Sequence, residues 1–536
     1  MQKLLFLTVF VVYSLWSNLP HPDISVKIPM RDGTELPTDI YLPQNYEEKK
    51  APCILVRSAA GRQALPALSA LPLRDAGYVV AIQDTRSKVD SDGKTMPCID
   101  DGWGVKQDGY DTVQWLVESP YSNGAIGSYG PSALGIVQLM MAPSQPPGLK
   151  SQYIQFACAN VFDYAAYPGG QFHKHQIEGW FYYYANHPSV IATVKKERAY
   201  SPFWSKMNAL PRSEKVNVPA VFIAGWYDTF LQGTIDAYLK RQHEGGPGAR
   251  GKQKLIIGPW SHFWPAETKL AEYPVPEKGY APPYDLSPVK WFDYTLKGET
   301  NEIAEAPPVQ YYVMGPFNEP SKGNVWKSTN NWPPKSALKK LYLTSAKTLS
   351  HTLTEDSNFS YLYDPNNPIP TLGGRNLFIE SGPKDQRPIE SRTDILVFAS
   401  DALTEDLEVT GSLKADLFFS TDAEDTDVIV RITDIYPDGR SLLISDNAYR
   451  LGFHKKTPKQ TEPHRVRIDL HSISMVFAKG HKIGLSVSSS NYPRFEKNLN
   501  VAFNDQGEPT GEPKVAKNTL YVGEDHPSSL ILPVVE

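Results

Sequence analysis

The chain has 536 residues, 41% of them hydrophobic and 21% charged, and its 54 Lys and Arg against 59 Asp and Glu leave a net charge of -5. That length exceeds what one hydrophobic core supports, so two or three domains are expected. A mildly acidic balance with no long basic run argues against a nucleic-acid partner, and three cysteines without zinc-ligand spacing, with no His-Glu-x-x-His run, argue against a metal.

At the start, Lys3 precedes an apolar run from Leu4 to Trp16. A helix needs about 20 residues to cross a bilayer, so no stable membrane span is expected and residues 1–17 read as a secretory signal peptide. The protein is therefore expected outside the cell or in the periplasm. Leu15 and Trp16 are not the small residues preferred at a cleavage site, which leaves that site undefined. Cys53, Cys98 and Cys158 cannot all pair with one another, and one bridge or buried free thiols are equally compatible with the sequence.

From residue 23 to 145, apolar strands at 54–57, 78–83 and 125–129 alternate with helical stretches such as 110–118. This rhythm signals a mostly parallel sheet with helical crossovers. Residues 146–215 lose it and become aromatic, with Trp180-Phe181-Tyr182-Tyr183-Tyr184 and Phe203-Trp204, as expected of a helical cap. The strand rhythm resumes near 216 and runs to about 335. From 336 to 536, alternating segments at 428–433, 465–470 and 482–488, separated by Pro-Asp-Gly, Lys-Gly and Asn-Tyr-Pro turns, indicate an antiparallel β-sandwich.

Three runs carry chemistry. Gly130-Pro131-Ser132-Ala133-Leu134-Gly135 follows a strand pattern and opens a helical one; Asp228 ends Gly225-Trp226-Tyr227-Asp228 after the apolar run 218–224; His262 ends Gly258-Pro259-Trp260-Ser261-His262 after 254–257. Serine, acid and histidine in this order, each after a strand, follow the linear order of an α/β-hydrolase triad. A serine hydroxyl needs an imidazole to take its proton, and the imidazole needs a carboxylate to fix its tautomer. Small residues are needed beside the serine, where the strand-to-helix turn is sharp. The spacing glycine-x-serine-x-x-glycine departs from the usual elbow, so the serine alone is as well explained as a helix cap; the other two runs favour catalysis. An aromatic cap suits a pocket wall, and Trp180, Phe181 and Trp226 are the candidates for substrate contact.

With Arg31-Asp32-Gly33, Gln83-Asp84-Thr85-Arg86, Tyr363-Asp364-Pro365, Asp385-Gln386-Arg387, Asp425-Thr426-Asp427, Tyr436-Pro437-Asp438-Gly439-Arg440 and Ser488-Ser489-Ser490-Asn491 added to these runs, the chain resembles the superfamily of cocaine esterases, α-amino acid ester hydrolases and X-Pro dipeptidyl-peptidases. The likeness covers residues 23 to the C-terminus. It implies an α/β-hydrolase domain with an inserted helical cap and a C-terminal all-β jelly-roll sandwich. It also assigns the nucleophile to Ser132, the orienting acid to Asp228 and the base to His262, with no cofactor. The Ala133 N–H is the first oxyanion donor. Many members complete the oxyanion hole with a tyrosine after the first parallel strand; here Ala60 stands in its place, and the N–H of Ala60 or Gly61 is the expected substitute.

These observations imply a serine hydrolase that forms an acyl-enzyme from a small ester, amide or short peptide. An Xaa-Pro dipeptidyl-peptidase is the alternative, and it requires acids such as Asp163 or Glu178 to bind a substrate ammonium. The missing tyrosine motivates a further alternative, a weakly active or inactive member acting as a binding protein. A homo-oligomer is left open.

Overall fold

The computed structural model describes residues 21–44, 46, 50–63, 65–184, 187–263, 269–454, 461–504 and 507–536; the signal peptide expected over 1–17 lies outside them. Ten strands build the first sheet: β1 (Ile24–Pro29), β2 (Glu35–Tyr41), β3 (Cys53–Ser58), β4 (Val79–Asp84), β5 (Ile126–Pro131), β6 (Leu149–Gln155), β7 (Ala220–Gly225), β8 (Lys254–Gly258), β9 (Val309–Val313) and β10 (Val325–Thr329). They lie in the order β1-β2-β4-β3-β5-β6-β7-β8-β9-β10. From β4 to β9 every neighbouring pair is parallel, and β1, β2 and β10 are antiparallel additions at the two edges.

Every residue of β3, β4 and β7 is buried, as continuous apolar runs demand of parallel strands covered on both faces. The covering helices are the crossovers, among them Leu65–Asp75, Asp108–Glu118, Ala133–Met141 and Leu231–Glu244. Buried Arg86 joins the amino-terminal turn to this frame: its Nη2 and Nε donate to Asp108 at 2.7 and 2.9 Å, and its Nη1 donates to Asp32 at 2.8 Å. The runs around Asp32 and Arg86 are thus two halves of one ion pair, with Arg86 buried and Asp32 at the surface.

The cap is shorter than the sequence suggests. Residues 149–155, expected within an insertion over 146–215, form β6 and pair with β5 and β7; the alternation Leu-Lys-Ser-Gln-Tyr-Ile-Gln hides this strand because its polar side chains are buried in hydrogen bonds. Gln152 Nε2, for example, donates to the Gln138 carbonyl at 3.0 Å and to Ser128 Oγ at 3.1 Å. After Gln155 come short helical turns, including Lys174–Gly179, Trp180–Tyr184 and Ser189–Lys196. Most of their rings pack inward: Phe162 stands 5.4 Å from Trp204, and Tyr167 5.8 Å from Phe172.

Beyond Thr329 the chain becomes a β-sandwich whose first strand is Ala337–Leu343 and whose longest, Leu407–Thr421, pairs antiparallel with His464–Phe477, Ala516–Val522 and Ser529–Val534. Phe398, Leu417, Phe419, Val430, Val466 and Val487 fill its core at 0% exposure. The architecture is an α/β-hydrolase domain with an inserted cap and a C-terminal jelly roll. The two layers meet tightly: a Cβ on Gly169, where φ is +61°, would stand 1.9 Å from the Ala448 carbonyl oxygen, so the cap reaches the sandwich only with glycine there. Across the interface, Tyr227 donates its hydroxyl to the Leu443 carbonyl at 3.0 Å.

All three cysteines are buried free thiols. Burial pushes the Cys53 and Cys98 thiols up to about 12, which leaves them unreactive at neutral pH. Among the described residues no helix is long and apolar enough to cross a membrane.

Candidate active site

Ser132 stands between β5 and the helix Ala133–Met141 with φ 58° and ψ -128°, a conformation that L residues adopt only under constraint. The flanking glycines explain how the turn closes. A Cβ on Gly130 would lie 2.6 Å from Leu134 Cβ, and one on Gly135 would lie 2.6 Å from Ala157 Cβ. The glycine-x-serine-x-x-glycine spacing therefore serves the same steric end as the usual elbow. Ser132 does not cap the helix through its side chain; its hydroxyl turns to the histidine instead.

The loops after β7 and β8 deliver the other two groups and are stitched together. Trp226 N donates to the Gly258 carbonyl and Tyr227 N to the Trp260 carbonyl, both at 3.0 Å. A Cβ on Gly225 would lie 2.3 Å from the Trp260 carbonyl oxygen, so close approach requires a glycine. His262 Nδ1 lies 2.6 Å from Asp228 Oδ1, and its Nε2 lies 2.9 Å from Ser132 Oγ. The Asp228 side chain is 0% exposed and that of His262 8%. Asp228 Oδ2 accepts the Phe230 N–H at 3.1 Å, which fixes the carboxylate plane. The rings of Phe230 and Phe156 stand edge-on to the imidazole at 5.6 and 6.0 Å. Such a chain of contacts can carry a proton from the serine to the imidazole.

Beside Ser132 opens a cavity of about 60 Å³ walled by apolar side chains, among them Ile136, Val161, Ile177, Trp180, Phe181 and Leu377. Trp180 and Phe181 thus reach the place the sequence suggests. Trp226 does not: its indole is buried, donates to the Tyr312 carbonyl at 2.6 Å and stacks 5.9 Å from Trp332. Closeness to the acid in sequence does not bring its ring to the cavity, because the indole is held on Tyr312 of β9 instead. Leu377, from the sandwich, and Met96 and Cys98, from the segment after β4, also line the cavity. No local pattern announces them, since they arrive through tertiary packing.

The cavity's polar side chains besides Ser132 are few. Gln176 is engaged on both ends, by the Thr229 hydroxyl and by the Ala165 carbonyl at 3.3 Å. Among the described residues no carboxylate lines the cavity. Asp163 accepts from Asn160 at 2.5 Å, and Glu178 is bound by Lys174 and, at 2.9 Å, by Lys195; neither acid faces the cavity.

The Ala133 N–H belongs to the first helical turn, whose amides have no intrahelical acceptor. Ala60 and Gly61 follow β3, the neighbour of β5 on the same sheet edge; Ala60 is exposed and Gly61 has φ +112°. This loop is held back by Arg62, whose N donates to Asp84 Oδ1 at 2.6 Å and whose Nε donates to Asp39 Oδ2 at 2.8 Å. Among the described residues no group of three or more His, Cys, Asp and Glu side chains is arranged to hold a metal ion.

Comparison with known proteins gives two matching family models: X-Pro dipeptidyl-peptidase (S15 family), over residues 32–189 and 181–264, and X-Pro dipeptidyl-peptidase C-terminal non-catalytic domain, over 301–531. A cocaine esterase from Rhodococcus is 30% identical, with 98% of this chain and 99% of that protein aligned. Among solved structures, an aminopeptidase from a marine sediment Thaumarchaeota archaeon superposes with a TM-score of 0.80 at 22% identity, and an α-amino acid ester hydrolase with 0.77 at 23%; each covers 96% of both chains.

Proposed function

Since the chain belongs to the S15 family of X-Pro dipeptidyl-peptidases and cocaine-esterase-like enzymes and is a serine hydrolase, we propose that it cleaves esters of short apolar acyl groups through an acyl-enzyme on Ser132. His262 takes the Ser132 proton as the hydroxyl attacks the ester carbonyl and returns it to the departing alcohol; a water then repeats the sequence on the acyl-enzyme. Asp228 keeps the Nδ1 proton in place, which leaves Nε2 free to accept. The developing oxyanion is held by the Ala133 N–H and by the N–H of Ala60 or Gly61.

The observation that carries this reading is the 2.6 and 2.9 Å chain from Asp228 to Ser132 opening onto a cavity that no carboxylate among the described residues lines. A peptidase releasing Xaa-Pro dipeptides, or an amino acid ester hydrolase, must compensate a substrate ammonium, and an apolar pocket strongly disfavours that charge. Size narrows the class further. An apolar cavity that accepts benzene measures about 150 Å³, whereas this one measures about 60 Å³, which suits acetyl to butyryl and excludes benzoyl unless the wall moves. The N-terminal apolar run supports export of this enzyme, and N-terminal sequencing of the protein recovered outside the cytoplasm tests that.

A fluorophosphonate probe should label Ser132 and leave Ser132→Ala unlabelled; no labelling of the wild-type chain would favour a binding protein. In matched assays, p-nitrophenyl acetate and butyrate should be turned over far faster than the benzoate ester, and a Gly-Pro anilide should not be cleaved. Efficient anilide cleavage would reverse the choice between esterase and peptidase.

A further inference from the structure

Beneath the Asp228 loop, between the sandwich and the hydrolase domain, three guanidinium groups gather round one carboxylate. Arg494 Nη1 donates to both oxygens of Asp446 at 2.7 and 2.8 Å, and Asn491 Nδ2 donates to Oδ2 at 3.0 Å. Arg375 Nη2 donates to Ser445 Oγ at 2.7 Å and to the Leu470 carbonyl at 3.0 Å. Arg431 donates to Ser488 Oγ at 2.7 Å and to the Ser490 carbonyl at 3.0 Å. Arg375 and Arg431 are each 2% exposed and Arg494 4%. Yet among the described residues neither Arg375 nor Arg431 has a carboxylate within 4.0 Å.

Arginine keeps its charge in proteins, and Asp446 is the one carboxylate among the described residues that hydrogen-bonds to any of these three cations. Asp469 acts on Arg375, and Glu390 and Asp394 on Arg431, from farther off; Asp469 accepts from Ser412 Oγ and the His471 N–H, Glu390 from Ser441 Oγ, and Asp394 from Arg392. Three donors, Nε and Nη1 of Arg375 and Nε of Arg494, are buried with no acceptor among the described residues. Buried guanidinium donors left without an acceptor are destabilising. Two histidines register the same cations. His173 and His471 are both held below the ordinary imidazole value, by burial first and next by Arg494 and Arg375 respectively.

We propose that this node binds a small monovalent anion of halide size against Arg375, with Arg494 beside it. The anion accepts from the orphaned N–H groups and places a negative charge in direct contact with Arg375, which has no carboxylate there. The node is tightly packed, since a Cβ on Gly374 would stand 3.2 Å from Asp446 Oδ1 and 3.3 Å from Arg494 Nη1, and this favours a small ion. Its position gives it leverage on the active site. Arg375 lies two residues before Leu377, which walls the acyl cavity, and Tyr227, beside Asp228, is hydrogen-bonded to the same strand, at Leu443.

The test is thermal unfolding of the full chain at constant ionic strength, with sodium gluconate replaced stepwise by sodium chloride or bromide, alongside crystals grown in bromide and measured at the bromine edge. Gluconate is too large to enter. A saturable rise in Tm with both halides is expected, together with an anomalous peak within hydrogen-bond distance of Arg375 Nε or Nη1. Arg375→Met should abolish the rise, and Arg375→Lys should weaken it. Equal Tm in gluconate and halide, a rise that survives Arg375→Met, or water at the node in bromide crystals overturns the proposal. Should Arg375→Met fail to fold, the wild-type bromide map and Arg375→Lys still decide.

Discussion

Replacing Asp228 by asparagine isolates what the carboxylate does, because the surroundings leave the amide little choice of orientation. Asp228 Oδ2 accepts the Phe230 N–H at 3.1 Å while Oδ1 faces His262 Nδ1 at 2.6 Å. An asparagine must keep its oxygen on the Phe230 N–H, since the reverse flip would set two donors against each other at a fully buried site. Its NH2 then points at Nδ1, which must become an acceptor, and the ring proton moves to Nε2, facing Ser132 Oγ. No base remains for the serine. Locking a triad imidazole in the wrong tautomer lowers kcat by about 10⁴, which corresponds to about 5.4 kcal/mol of transition-state stabilisation at tenfold per 1.36 kcal/mol. Stopped-flow hydrolysis of p-nitrophenyl acetate measures acylation, and near-ultraviolet circular dichroism verifies that the variant is folded. A folded Asp228→Asn enzyme with kcat within tenfold of wild type would refute the assigned role.

Other substitutions probe the pocket, the oxyanion donors and the domain interface. Phe181→Ala removes a ring 1% exposed and packed 5.0 Å from Trp180; it should cost about 3–5 kcal/mol of stability and raise the benzoate-to-butyrate ratio of kcat/KM at least tenfold, whereas an unchanged ratio would place the acyl group elsewhere. Ala60→Tyr restores the phenol found at this position in many relatives. If a backbone N–H already completes the hole, kcat should stay within about tenfold, while a gain on the order of 10² to 10³ would show that a donor is missing. His481 is buried between Asp434, at 2.8 Å from Nδ1, and Glu319, at 3.0 Å from Nε2. Burial opposes its charge, but the hydrogen bonds and charges of these two acids prevail and raise it above the ordinary imidazole value. Its contribution to stability is therefore complete below the unfolded value of about 6.5 and is lost as pH rises through the higher folded value. Urea midpoints should fall between pH 6 and pH 9 more steeply for wild type than for His481→Gln, and parallel curves would remove His481 from the account.

Much of this architecture could be read from residues because local signals agreed with one another. The apolar runs of β3, β4 and β7 are continuous, and the glycines at 130, 135 and 225 stand where backbone or side chains approach too closely for a Cβ. Ser132, Asp228 and His262 could be proposed together because each follows a strand, and the structure places His262 within hydrogen-bond distance of both Ser132 and Asp228. Other elements left no local trace. β6 carries Lys150, Ser151, Gln152 and Gln155, which look like loop residues until their hydrogen bonds in the sheet are seen. Trp226 lies two residues before the acid and yet points away from the cavity, because closeness along a chain says nothing about which way a turn throws a side chain. Leu377 lies 115 residues beyond His262, and only the docking of one layer on the other makes it a wall.

That wall has an implication for how selectivity is inherited. Because one side of the acyl cavity is contributed by a segment that takes no part in building the catalytic sheet, substitutions there can retune which acids are accepted without disturbing the machinery that activates the serine. Exchanging Leu377 would alter the fit of the cavity and leave the nucleophile in place, so the sandwich is part of the lock as well as a brace behind it.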